Sequence, residues 1–392
     1  MISPQEALEY IRKATPATAA EHKSPGEAHL QTLAEDVAAP HHHPFFDQSA
    51  MDGYAARFED LVSGQALRIA AHLPAGSTTL PTIQPGEAAR IFTGSAIPPG
   101  ADTVIMQEHC STENDLLVVE RLPEKPGTHI RRCGEQIARG EVALPKGKVL
   151  NSSAIGFLAS IGVQRVSVWK RPTAAIITTG SEFIRPGEEL MPGKIFESNG
   201  IMLQTALQEQ GIASERHICE DDPEKLTALI NQLAEKTDLL LLTGGVSVGD
   251  HDHTPSALSS AGFNILFHKV NQKPGKPLLF ATRKDCMAFG LPGNPRSVLM
   301  CYHVYVKAML GQWTGQQEIS WFSGRLRLTD ELINRSGKTV FVTGKRTDQG
   351  VEPLRGQNSH MLQSFARADT IIVHPPEAPQ LSAGSTVTVI PL

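Results

Sequence analysis

From Pro172 onward the chain settles into a rhythm that few architectures can satisfy. Short, unbroken apolar runs each empty into a turn, and stretches of helical period separate them. The runs are TAAIITTG (173–180), DLLLLTGG (238–245), KPLLFAT (276–282) and CMAFGLPGNP (286–295). A strand that is apolar at every position, not every second one, is covered on both faces. Between the runs, SNGIMLQTALQEQG (198–211) reads as a helix capped by Ser198 or Asn199, with Met202, Leu203, Ala206 and Leu207 on one face. DDPEKLTALINQLAEK (221–236), opened by Asp222-Pro223, is a second helix. NPRSVLMCYHVYVKAML (294–310), with Asn294 as cap and Pro295 first, is a third. The alternation predicts an α/β fold, a doubly wound parallel sheet with helices on both faces. Ligands of such sheets bind beyond the carboxyl ends of the strands, where the glycine-rich turns fall.

The remaining chain reads differently, and 392 residues exceed one ordinary core. Ser3-Pro4-Gln5-Glu6 is a capping box that opens an amphipathic helix over 3–14. PHHHPFFDQSAMDGYAAR (40–57) reads as irregular. From 60 to 130, short apolar runs broken by PAGS, QPGE, PPGA and KPGT predict a small β domain. NSSAIGFLASIG (151–162) is a helix and RVSVW (165–169) a strand. After about residue 318, GRLRL, TVFVTG, TIIVHP and STVTVIPL predict a small C-terminal β-barrel.

Composition narrows the function classes. With 40% hydrophobic and 20% charged residues the chain is globular, not disordered. A net charge of −5 makes no field that would draw nucleic acid. No run of 18 apolar residues predicts a membrane span. The N-terminus lacks the basic and apolar regions of a signal peptide. Five cysteines, odd in number and without C-x-x-C, read as reduced thiols of a cytoplasmic protein.

The chemistry concentrates in TGGVSVGDHDH (243–253). Gly244, Gly245 and Gly249 let backbone amides approach an anion with no Cβ in the way. Ser247 adds a hydroxyl, and Asp250 and Asp252 offer oxygen to a divalent cation. A glycine turn after a strand is also simply a turn, so the reading rests on several such turns sharing one sheet edge. KPGKP places Lys273 and Lys276 on one turn, either as a solvated pair or as an oxyanion site that relieves their mutual repulsion. GLPGNP (290–295) feeds a helix N-terminus, which favours phosphate. TTGSEF (178–183) puts Glu182 just past a strand end. FDQSAMDGYAAR carries Asp47 and Asp52, and RIFTGSAIPPGADTVIMQEH (90–109) carries Thr93-Gly94-Ser95, Asp102 and Glu108. No nucleophile–base pattern, zinc pattern, P-loop or dinucleotide fingerprint is found. His41, His42 and His43 read as a solvated loop more than a metal site. The sum is an anion-lined crevice in which acids and lysines serve a phosphate-bearing ligand, a divalent cation and a second anion.

FDQSAMDGYA, RIFTGSAIPPGAD, TTGSE, TGGVSVGDHD, KPGKP and GLPGNPRS, in that order over residues 46–297, together resemble the MoeA family. These are the molybdopterin molybdenumtransferases, a family that includes the E domain of gephyrin. QNSHMLQSFARADTIIVHP (357–375) resembles its C-terminal barrel motif, so the likeness spans nearly the whole chain. It implies an elongated dimerisation domain (1–46 and 137–170), an inserted β domain (47–136), an α/β molybdopterin-binding domain (171–317) and a C-terminal barrel (318–392). It also implies a homodimer whose site lies between the α/β domain of one chain and the inserted-domain region of the other. In the reaction it implies, adenylated molybdopterin and molybdate react with Mg2+ or another divalent cation, and AMP leaves.

The catalytic positions carried over are Asp52, Thr93, Glu182, Lys273 and Lys276, with Asp52, Glu182 and Asp252 as metal contacts. The 244–252 loop, through Gly244, Gly245, Ser247, Gly249, Asp250 and Asp252, would cradle the pterin phosphate. Pro292, Gly293, Asn294, Ser297 and the barrel residue Ser359 would also bind substrate. A molybdopterin adenylyltransferase and recipient molybdoenzymes are the implied partners. Two positions depart from the family pattern. Gln136 stands in GEQI where a carboxylate is usual, and Thr343 stands in FVTG where arginine is common, with Lys345 or Arg346 as substitutes. Tungstate in place of molybdate, and a scaffold or cofactor-binding protein with weakened catalysis, stay open as alternatives.

Overall fold

The structure is a computed structural model that describes residues 1–16, 19–184, 187–246, 252–316 and 324–392. At its centre is a six-stranded sheet in the order Ser214–Cys219, Ala174–Thr179, Leu239–Thr243, Cys286–Leu291, Leu279–Arg283, Asn264–His268. Its apolar runs are double-sided, as their composition requires. Ile176, Leu239 and Leu241 face one core, with the helices Asn199–Glu209 and Pro295–Cys301. Ile177, Leu240 and Leu242 face the other, with Pro223–Ala234 and Thr254–Ser260.

The first four strands are parallel, but Leu279–Arg283 runs against its neighbours, so the sheet is mixed. The reason is the length of one connection. Only Lys284 and Asp285 separate Arg283 from its partner Cys286, whereas a parallel return needs about a dozen residues. The edge strand Ser214–Cys219 carries no unbroken apolar run, and that of Asn264–His268 is only Ile265 to Phe267, which is why composition alone does not mark them.

Ala174–Thr179 has Ser214–Cys219 on one side and Leu239–Thr243 on the other. The chain therefore crosses first one way and then the other, and a crevice opens between the carboxyl ends of Ala174–Thr179 and Leu239–Thr243. The third predicted helix is Pro295–Cys301, then a wide π-helical turn over Tyr302–Val306, then Lys307–Trp313. The capping-box helix Pro4–Ala14 packs here too, with Ala7 and Ile11 in the α/β core.

The inserted region forms a six-stranded sheet in the order Thr103–Met106, Gly53–Ala56, Glu87–Ile91, Leu67–Leu73, Leu116–Val119, Cys110–Glu113. Gly53–Ala56 lies inside the stretch that reads as irregular. Three of its four residues, Gly53, Ala55 and Ala56, are too small to announce a strand, and at Gly53 smallness is what the packing demands. A Cβ on Gly53 would stand 1.8 Å from the Ile105 carbonyl oxygen. Residues on both sides of the insertion share one core, among them Leu33, Val37, Ile137, Leu150, Leu158 and Val168.

The C-terminal strands close on themselves. Thr339–Thr347 pairs with Thr370–His374, which pairs with Thr386–Pro391, which pairs with Gly324–Arg327. Leu328, one residue beyond, bridges Val351 of Gly350–Pro353, which pairs back onto Thr339–Thr347. The ring is the predicted barrel. A short strand from the α/β domain, Gln272–Lys273, joins it at Thr339 and Val340. Among the described residues no helix is long and apolar enough to cross a membrane.

Candidate active site

A cavity of about 640 Å³ opens at the carboxyl ends of the parallel strands. Thr179, Gly180 and Glu182 line it after the first strand, Thr243 to Val246 after the next, and Pro292 to Pro295 after the third. Ser198, Asn199, Asp221, Asp252, Pro277 and the barrel's His360 also line it, with Phe183, Ile195 and Phe196 as an apolar side. Its size suits a cofactor-sized molecule.

At Gly244 the glycine is required by geometry. Gly244 has φ +96°, and a Cβ on it would lie 2.6 Å from Thr179 Oγ1 and 2.7 Å from the Thr179 carbonyl oxygen. Hydrogen bonds lock the turns together. Thr254 Oγ1 donates to the Gly244 carbonyl at 3.0 Å, and Thr243 Oγ1 donates to the Pro292 carbonyl at 3.1 Å. Asn199 Nδ2 donates to Thr243 Oγ1 at 2.9 Å and to the Gly293 carbonyl at 2.8 Å. The amides of Gly245, Gly293 and Asn294 donate to no backbone carbonyl among the described residues. Anion-binding donors therefore line the crevice. Asn199 Oδ1 is buried with no hydrogen-bond partner among the described residues.

Three carboxylates share this wall: Glu182, Asp252 and Asp221, the last not singled out by sequence. The signal was present but read for its neighbour. In Asp221-Asp222 the second acid caps the helix through Glu224 N at 2.9 Å and Lys225 N at 3.1 Å, which leaves the first for the cavity. Asp221 accepts from Ser181 N at 3.3 Å. Among the described residues no group of three or more His, Cys, Asp or Glu is arranged to enclose a metal ion.

The lysine turn is held from inside. Val270 N donates to the Lys276 carbonyl at 2.9 Å, and the Lys273-Pro274 peptide is cis. The turn reaches the cavity through Pro277. Lys273 and Lys276 are exposed, neither lines the cavity, and neither forms an ion pair among the described residues. Asn294 Nδ2 donates to Ser359 Oγ at 3.0 Å, so the barrel motif meets the GLPGNP turn. Ser297 is 3% exposed and does not line the cavity. Ser247, Gly249 and Asp250 lie outside the described residues.

Asp52 and Thr93 are brought together elsewhere, on the inserted sheet. Asp52 Oδ1 accepts from Thr93 N at 2.8 Å and from Thr93 Oγ1 at 2.7 Å. The backbone donor first, then the hydroxyl, hold its carboxyl below the usual range, and the charge of Arg90 adds to this. Arg90 in turn grips the Gly53 carbonyl at 2.8 Å and lies over the rings of Tyr54 and Phe92. Neither Asp52 nor Thr93 lines the cavity of its own chain.

Gln136 lines a separate cleft of about 440 Å³ with His43, Pro44, Gln48, Arg131 and Glu135. His42 Nδ1 accepts from Arg139 N at 3.3 Å, and His41 and His43 pack against Phe45. Thr343 is fully buried and accepts from Gln357 Nε2 at 3.0 Å. Gln357 also receives Arg296, whose Nη1 donates to its carbonyl at 2.7 Å. Burial pushes the Arg296 guanidinium down to about 10. Thr343 is thus part of the clamp between the α/β domain and the barrel. Arg346, on the same strand, pairs with Asp369 at 3.6 Å.

Three family models match the chain in series. They are the MoeA N-terminal region (domain I and II) over residues 2–162, the probable molybdopterin binding domain over 175–312, and the MoeA C-terminal region (domain IV) over 325–392. A molybdopterin molybdenumtransferase of a Nostoc species is 34% identical over 381 residues, 93% of this chain and 87% of that protein. One of Haemophilus influenzae is 32% identical over 95% of this chain and 94% of its own length. A crystal structure of the molybdopterin biosynthesis MoeA protein from Pyrococcus horikoshii matches with TM-score 0.81 at 28% identity, covering 100% of this chain and 99% of that one.

Proposed function

The chain belongs to the MoeA family, and from that premise we propose how its residues perform the molybdopterin molybdenumtransferase reaction. It is a transferase that inserts molybdenum into molybdopterin. In our reading the substrate enters adenylated, molybdate is the second reactant and AMP is released. The α/β unit, 171–317, is the substrate domain. The inserted unit, 47–136, supplies the Asp52–Thr93 corner, and the barrel, 318–392, supplies Ser359 and His360. The observation that carries this reading is the convergence of both glycine turns and three carboxylates on one cavity at the switch point of the sheet.

The amides of Gly245, Gly293 and Asn294 hold phosphate oxygens. Lys273 and Lys276 neutralise and hold molybdate at the cavity mouth. Placing two anions together is the main barrier, so positioning and charge neutralisation contribute most of the acceleration. No three acids enclose an ion among the described residues, so Mg2+ would be held by one of the wall carboxylates, Glu182 or Asp252, together with substrate phosphates and water. Bound there, it would supply charge neutralisation at the phosphoanhydride.

Asp52 and Thr93 stand away from their own chain's cavity, which favours a homodimer in which they complete the partner's site. All five cysteines are free, which fits a reducing, cytoplasmic setting. An adenylyltransferase would deliver the substrate, and recipient molybdoenzymes would accept the product. The test is AMP release from adenylated molybdopterin with molybdate and Mg2+. Lys276→Ala should abolish it while the protein stays folded, and normal turnover by that variant removes the lysine's role. No AMP release by the unaltered chain would support the scaffold reading instead. Competition between molybdate and tungstate in the same assay decides between the two metals.

A further inference from the structure

The lysine turn rests on a buried side-chain amide that belongs to no motif. Gln272 is 1% exposed. Its Nε2 donates to the Pro274 carbonyl at 3.1 Å and to the Gly275 carbonyl at 3.2 Å, the two backbone acceptors between Lys273 and Lys276. Only the N–H end of a carboxamide can serve two carbonyls, so these acceptors set which way the amide faces. The Tyr305 hydroxyl donates to Oε1 and braces the opposite end. Tyr305 is fully buried on the π-helical turn Tyr302–Val306.

The turn presses directly onto this support. Gly275 has φ +82°, and a Cβ there would lie 2.5 Å from Cys301 Sγ and 2.9 Å from Gln272 Nε2. On the outer side, Gln272 and Lys273 pair with Thr339 and Val340 of the barrel. The backbone from which both ammonium groups spring is therefore set by one amide beneath it and one barrel strand beside it.

We propose that Gln272, braced by Tyr305, is a positioning residue for the oxyanion substrate. It holds Lys273 and Lys276 at a fixed separation against their mutual repulsion, so that a tetrahedral dianion meets both at once. This rests on the reading above that the two lysines meet molybdate. Gln272 touches neither reactant, and its effect passes through the turn.

The experiment is steady-state AMP release by the full chain, with molybdate and adenylated molybdopterin varied separately. Gln272→Leu should raise the molybdate KM about tenfold or more, the scale on which small misplacements act. The KM for adenylated molybdopterin should stay within about twofold, since the glycine cradle is untouched. Tyr305→Phe removes only the bracing hydroxyl and should move the molybdate KM in the same direction by about threefold. It decides the matter if Gln272→Leu does not fold. An unchanged molybdate KM in the folded variants, or an equal rise in both KM values, overturns the role. Lys276→Ala, assayed alongside, separates the two claims. If it turns over normally, or if the unaltered chain has no activity, the lysine reading falls and this role with it. If Lys276→Ala is dead and the Gln272 and Tyr305 variants keep a normal molybdate KM, the positioning role alone falls.

Discussion

The sheet-edge cavity and the Asp52–Thr93 corner are both preorganised, but by opposite means. The cavity is a container. Its shape comes from turns cross-braced by Asn199, Thr243 and Thr254, with no room for a Cβ at Gly244, and it presents backbone amides beside its carboxylates. The corner is a single exposed carboxylate, aimed by two donors of one threonine on a small sheet. One region offers amides and carboxylates inside an enclosure, and the other offers one acid aimed by two donors with no enclosure. A reaction that needs both must bring them together across two chains or do without one of them.

The two regions should respond differently to substitution, and the largest difference is expected at Gly244. Gly244→Ala forces a side chain onto Thr179 at a backbone angle that L-residues rarely adopt. We expect it to lose all measurable AMP release and about 1–3 kcal/mol of stability. Turnover and a denaturant midpoint measured together check this, and wild-type behaviour in both would mean the turn is not the constraint described here. The corner should answer more mildly and through pH. Asp52 has a folded pKa below its ordinary value, so the stabilisation from Thr93 is present above the usual carboxylate range and is lost as pH falls through the lowered value. Thr93→Val removes the hydroxyl donor and keeps the backbone one. The acid limb of the activity profile should then move to higher pH, with little change near neutrality. An unmoved acid limb would show that the hydroxyl does not tune this carboxylate.

The same contrast explains what could be read from sequence. Ala174–Thr179 and Leu239–Thr243 were legible because burial on both faces leaves an unbroken apolar run. The direction of Leu279–Arg283 was not in its composition. It lay in the two-residue connection Lys284–Asp285, a length that permits only a hairpin. Ser214–Cys219 is an edge strand in which only Cys219 is buried, and its polar residues conceal it.

In the site, Gly244, Gly293, Glu182 and Asp252 were legible as motif members. Asn199 and Asp221 were hidden by ordinary roles, since a helix start explains an asparagine and a capping pair explains an acid. Gln272 had no signal, because its function depends on which carbonyls lie above it. Thr343 reads as a departure at the site until its burial and its bond to Gln357 are seen.

The central claim is that the cavity of one chain works with the Asp52–Thr93 corner of another, and mixing two inactive variants tests it most directly. Lys276→Ala disables the lysine turn and Asp52→Ala disables the corner, both at exposed positions. Dimers formed from equal amounts of the two should recover about a quarter of wild-type AMP release, because half of the dimers are mixed and each mixed dimer holds one intact site. If the mixture stays as inactive as its components while forming mixed dimers, the site is contained in a single chain and the account is wrong.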